Sequence, residues 1–60
     1  MSKLTEKEVS LIGDLLNFEE MAFKKAQLYS NTLTDASLAA IMSDIATKHQ
    51  QRFKSLLELL

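Results

Sequence analysis

The chain is 60 residues long, carries a net charge of −1, is 47% apolar and contains neither cysteine nor proline. One small domain is the most this length supports, and a disulfide framework or thiolate metal site is excluded. A nucleic-acid module would show a basic face that this chain lacks, and no stretch approaches the roughly 18 uninterrupted apolar residues of a membrane span.

Leucine supplies eleven residues and valine one, a balance that favours helix over strand. Met1-Ser2-Lys3 runs straight into a helix start, so no signal peptide is expected and a cytoplasmic protein is the default. The start itself is Leu4-Thr5-Glu6-Lys7-Glu8-Val9. Its Thr5 is placed to accept an orphan backbone N–H, Glu8 to complete a capping box, and Leu4 to staple against Val9. Helix one is predicted over about Glu6 to Tyr29. Val9, Ile12, Leu16, Phe23 and Ala26 form a heptad-like seam, with Leu11, Leu15, Phe18, Ala22 and Tyr29 in a second row. Ser30 and Asn31 mark the expected stop, because both compete with the helix for backbone bonds and Asn tolerates a left-handed cap.

Twenty-nine residues after the first signature comes a second, Leu33-Thr34-Asp35-Ala36-Ser37-Leu38, which places an N-cap at Thr34 and an acid at the first helical position. Helix two is predicted from Asp35 to Leu60, with Leu38, Ile41, Ile45, Phe53, Leu56 and Leu60 as its main stripe and Met42, Leu57 and Leu59 beside it. A connection of residues 30–34 forces the helices antiparallel. The expected fold is all-α: one αα-hairpin spanning residues 1–60. Two helices cannot cover apolar faces this wide. Leu11, Leu15, Phe18, Leu56, Leu57 and Leu60 are therefore expected at an interface that closes a dimeric four-helix bundle.

Two polar residues interrupt the stripes. Glu19 falls between Leu16 and Phe23, and His49 between Ile45 and Phe53. Pairing Ser30 with Thr34 across the turn sets Glu19 level with Ile45 and His49 about 6 Å further along. One reading is a buried or half-buried Glu19–His49 hydrogen bond that fixes register; a second is a metal site shared between two chains; a third leaves both residues facing solvent. Against the metal, Ala46 stands three residues before His49, where a bridging acid would be needed, and Asp44 lies on another part of the surface. Glu20 points about 100° away from Glu19 and makes no carboxylate pair with it. Ser10, Ser43 and Ser55 have no base at a compatible spacing, so neither enzymatic activity nor a cofactor is expected. Tyr29 reads as a bundle-end residue, Met21 and Met42 as core filler, and His49-Gln50-Gln51-Arg52 as a solvated helix face.

The Leu4-Thr5…Glu8 start, the acidic pair Glu19-Glu20 after Leu15-Leu16-Asn17, Tyr29 before the turn, and Lys48-His49-Gln50-Gln51-Arg52-Phe53 before a leucine-rich end resemble the ferritin-like spore coat F-type proteins of spore-forming Firmicutes. The resemblance spans Leu4 to Leu60. It implies a ferritin-like bundle, spore-coat association and coat-protein partners, with Glu19 or Glu20 as the helix-one acid and His49 as the helix-two histidine. Metal-binding relatives would carry an acid at the position of Ala46 and four helices in one chain. The expected function is accordingly that of a non-enzymatic self-assembly module. The competing expectations are a metal-carboxylate bundle using Glu19 and His49, and an adaptor that binds a partner helix.

Overall fold

The computed structural model describes residues 3–60; Met1 and Ser2, which open the segment read above as lacking a signal peptide, lie outside it. Two helices, α1 (Glu6–Thr32) and α2 (Ala36–Leu57), pack against each other along their lengths as an antiparallel hairpin. The start of α1 is the predicted capping box. Glu8 N–H donates to Thr5 Oγ1 at 3.1 Å, and Thr5 N–H donates back to Glu8 Oε1 at 2.9 Å. The Thr5 backbone bond, aided by the Thr5 side chain, lowers the pKa of the Glu8 carboxyl.

Both ends of the connection differ from expectation. α1 runs through Ser30 and Asn31 to Thr32, because the Ser30 and Thr32 hydroxyls donate to the helix's own carbonyls, Gln27 O at 2.7 Å and Leu28 O at 2.9 Å, instead of competing with it. Leu33 closes the helix in an extended conformation, donating its N–H to Tyr29 O, and no non-glycine residue among those described adopts the left-handed conformation expected of Asn31. The second cap is Asp35, not Thr34: its carboxylate accepts the Leu38 N–H at 2.9 Å. Aspartate outranks threonine at this position, and moving the start one residue on takes the acid from the first turn to the cap. The far end also stops short of Leu60. The Leu59 and Leu60 amides reach back only three residues, to Leu56 and Leu57, so the chain tightens into turns after Leu57. The connection is therefore residues 33–35.

The contact seam uses Ile12, Leu16, Glu19, Phe23 and Ala26 of α1 against Ala39, Met42, Ala46, His49, Phe53 and Leu56 of α2. Spacings alternate three and four on both sides, as helices packed at a shallow angle require. Val9 is left out of the predicted seam, and in α2 the stripe is rotated by about one residue. Leu38 and Ile41 are half exposed, while Ala39 and Ala46 take the contact positions. Ala26 and Ala46 are both buried at this seam, between the turn and the level at which Glu19 faces His49. Among the described residues only Ile12, Glu19, Ala26 and Ala46 are buried, and no large side chain is fully enclosed.

The Cα envelope measures 46 × 16 × 10 Å, a slab two helices wide and one thick. Its two broad faces are unlike. At 100° per residue, Leu11, Leu15, Phe18 and Tyr29 fall on one flank of α1, and Leu38, Ile41 and Ile45 fall on the adjoining flank of α2. Asn17, Glu20, Lys24 and Gln27 share the other broad face with Ser43, Gln50 and Lys54. That second face is mainly polar, its apolar parts being Val9 and Leu57 near its open end and the rings of Phe23 and Phe53 beside Glu20 and Gln50.

Candidate functional site

Halfway along the seam three side chains meet. Glu19, one of the buried residues, projects from α1; His49 and Arg52 project from α2, three residues apart and therefore on one side of it. His49 Nδ1 lies 2.6 Å from Glu19 Oε1, and Arg52 Nε donates to Glu19 Oε2 at 3.2 Å. Arg52 Nη2 also stands 3.0 Å from His49 Nδ1. A guanidinium only donates, so one imidazole nitrogen cannot serve both neighbours. The shorter contact decides: Nδ1 carries the proton and donates to the carboxylate, while Nη2 merely crowds it.

The arrangement satisfies a buried anion with two donors from the facing helix. The His49 hydrogen bond, opposed by burial and aided by Arg52, holds the Glu19 carboxyl below the usual carboxylate range. Phe18 closes one side, its ring edge-on to the imidazole with centroids 6.5 Å apart. Among the described residues no buried side-chain nitrogen or oxygen lacks a partner.

Glu19 and His49, singled out because each interrupts an apolar stripe, thus stand in direct contact. They are level with each other, not staggered by a turn, because the connection is centred on Thr34 and lies two residues later than expected. Arg52 is the member that sequence reasoning placed on a solvated face. Its i,i+3 spacing from His49 was the available signal.

Within one chain these residues form a hydrogen-bonded cluster, His49 Nδ1 standing 2.6 Å from Glu19 Oε1 and the Arg52 guanidinium taking the second carboxylate oxygen. No group of three or more His, Cys, Asp or Glu converges among the described residues. Glu20 lies on the other broad face, paired loosely with Lys24 at 3.8 Å beside a cleft of 170 Å³ between Phe23 and Phe53. Ser10, Ser43 and Ser55 are exposed. Of the residues expected at an interface, Leu11, Leu15 and Phe18 share the apolar face. Leu56 is half-buried in the seam, Leu57 follows Gln50 by one heptad on the opposite flank, and Leu60 lies beyond α2.

Fold and site together define an all-α helical hairpin built around a satisfied carboxylate–imidazole–guanidinium cluster. Comparisons with protein families, with curated proteins and with solved structures give no match. No helix among the described residues is long and apolar enough to cross a membrane.

Proposed function

We propose that this chain is a non-enzymatic structural module that works by self-association, two hairpins closing a four-helix bundle of ferritin-like form. One observation carries the reading. The chain exposes 4862 Å², whereas a compact monomer of 6.8 kDa exposes about 3,950 Å². The surplus, about 900 Å², is close to the roughly 800 Å² that each partner contributes to a standard interface. Five large apolar side chains on one broad face, Leu11, Leu15, Phe18, Leu38 and Ile41, are 40–57% exposed.

The cluster fits this reading as the polar layer that fixes the register of α1 on α2, since slipping either helix would strand a buried carboxylate. Placement in a spore coat, with coat proteins as further partners, rests on the resemblance of Leu4–Leu60 to the coat F-type proteins. Sedimentation equilibrium of the metal-free protein across a wide concentration range tests the proposal. A dimer mass with helical circular dichroism supports it, and a well-folded monomer at low micromolar concentration overturns it.

A further inference from the structure

Resting on that self-association, we infer that the second copy seats on the face formed by Leu11, Leu15, Phe18, Leu38, Ile41 and Ile45. The Glu19–His49–Arg52 clusters of the two copies then lie level with each other at its centre, where the exposed part of each Arg52 side chain faces the partner.

The choice of face follows from the unlike flanks of the slab. Leu11 and Phe18 are each 57% exposed and Ile41 50%, on a face where α1 and α2 both present apolar rows. The opposite face carries Asn17, Glu20, Lys24, Gln27, Ser43, Gln50 and Lys54, whose burial would strand polar groups. The area argues for a second copy: the surplus on one chain matches one side of a standard interface, and a symmetric pair removes it from both chains.

The position of the cluster follows from length. α1 spans Glu6–Thr32, so Glu19 is its midpoint. A copy laid along the whole slab brings midpoint against midpoint whether the two turns lie at the same end or at opposite ends. The group that meets the partner there is Arg52. It falls on the same flank of α2 as Leu38, Ile41 and Ile45, its side chain is 54% exposed, and its Nε is the atom bonded to Glu19.

The test is sedimentation equilibrium of the full chain at pH 7.5 for wild type, Ile41→Lys and Gln50→Lys. The expected wild-type result is a dimer. Ile41→Lys should weaken association at least a hundredfold and Gln50→Lys less than threefold. Equal effects of the two lysines, or a larger effect of Gln50→Lys, would overturn the face while leaving self-association intact. A wild-type monomer would remove the self-association reading itself.

Discussion

Glu19 and Glu20 are the same residue type one position apart, and the hairpin gives them opposite lives. Glu19 is buried, bonded to His49 and Arg52, and held below the usual carboxylate range. Glu20 turns to the polar face and pairs loosely with a solvated lysine at 3.8 Å. A rotation of about 100° separates a residue on which the register depends from one that mainly keeps the surface wet. Sequence composition cannot distinguish them; only their phase relative to Leu16, Phe23 and Ala26 does.

Breaking the comparison at its strong end should have the largest effect. Removing the carboxylate in Glu19→Ala leaves an imidazole and a guanidinium facing a void, and about 2–3 kcal/mol of unfolding free energy should disappear in urea titrations at fixed protein concentration. An unchanged midpoint would mean that the cluster does not hold the seam. Phe23→Ala, one turn further along, should cost about 3 kcal/mol, the low end for an aromatic truncation because the ring is only half-buried. Glu19→Leu sharpens the contrast: it should match or exceed wild-type stability while losing a single oligomeric state, since apolar packing replaces a desolvated charge but no longer specifies register.

Acid gives the next contrast. The folded state depresses the Glu19 pKa, so its contribution is complete above the unfolded carboxyl value and is lost as pH falls through the lower folded one. Wild-type stability should decline below about pH 4.5, as measured by urea midpoints at stepped pH. Glu19→Gln should flatten that decline and Glu20→Gln should not. Caps come lower in the ranking. Asp35→Ala should lower stability by about 1 kcal/mol and Thr34→Ala by less than about 0.5 kcal/mol, because Asp35 makes the cap bond. Smallest of all, Glu20→Gln should stay within about 0.5 kcal/mol of wild type at neutral pH, since an exposed i,i+4 pair contributes little.

Much of the hairpin is legible in the sequence where one physical effect dominates. The Thr5…Glu8 box fixes the first start, the absence of proline allows two long helices, and the two polar interruptions find each other. Legibility fails where effects of similar size compete. At Thr34-Asp35 two capping residues stand side by side, and the stronger acceptor wins. At Ser30 and Thr32 the hydroxyls can either oppose the helix or fold back onto it, and the choice depends on which bonds the backbone already has. In α2 the apolar surface is wide enough to admit two phases. Ala39 and Ala46 take the contact positions where Leu38 and Ile45 were expected, something their modest hydrophobicity does not advertise. Arg52 was hidden for the same reason: its role depends on the phase, and the phase depends on alanines.

The three-residue connection has a kinetic consequence. With Leu33, Thr34 and Asp35 bridging two helices, contacts form between residues progressively further apart as the pair closes from the turn outward, and each new step adds little loop-closure entropy. Such low contact order places folding of the single hairpin in the microsecond-to-millisecond range. Glu19 and His49 lie 30 positions apart, midway along that closure. The half between the turn and the cluster can zip with its register still loose; once the carboxylate finds its donors, the remaining turns toward Leu4 and Leu57 have only one alignment left to adopt.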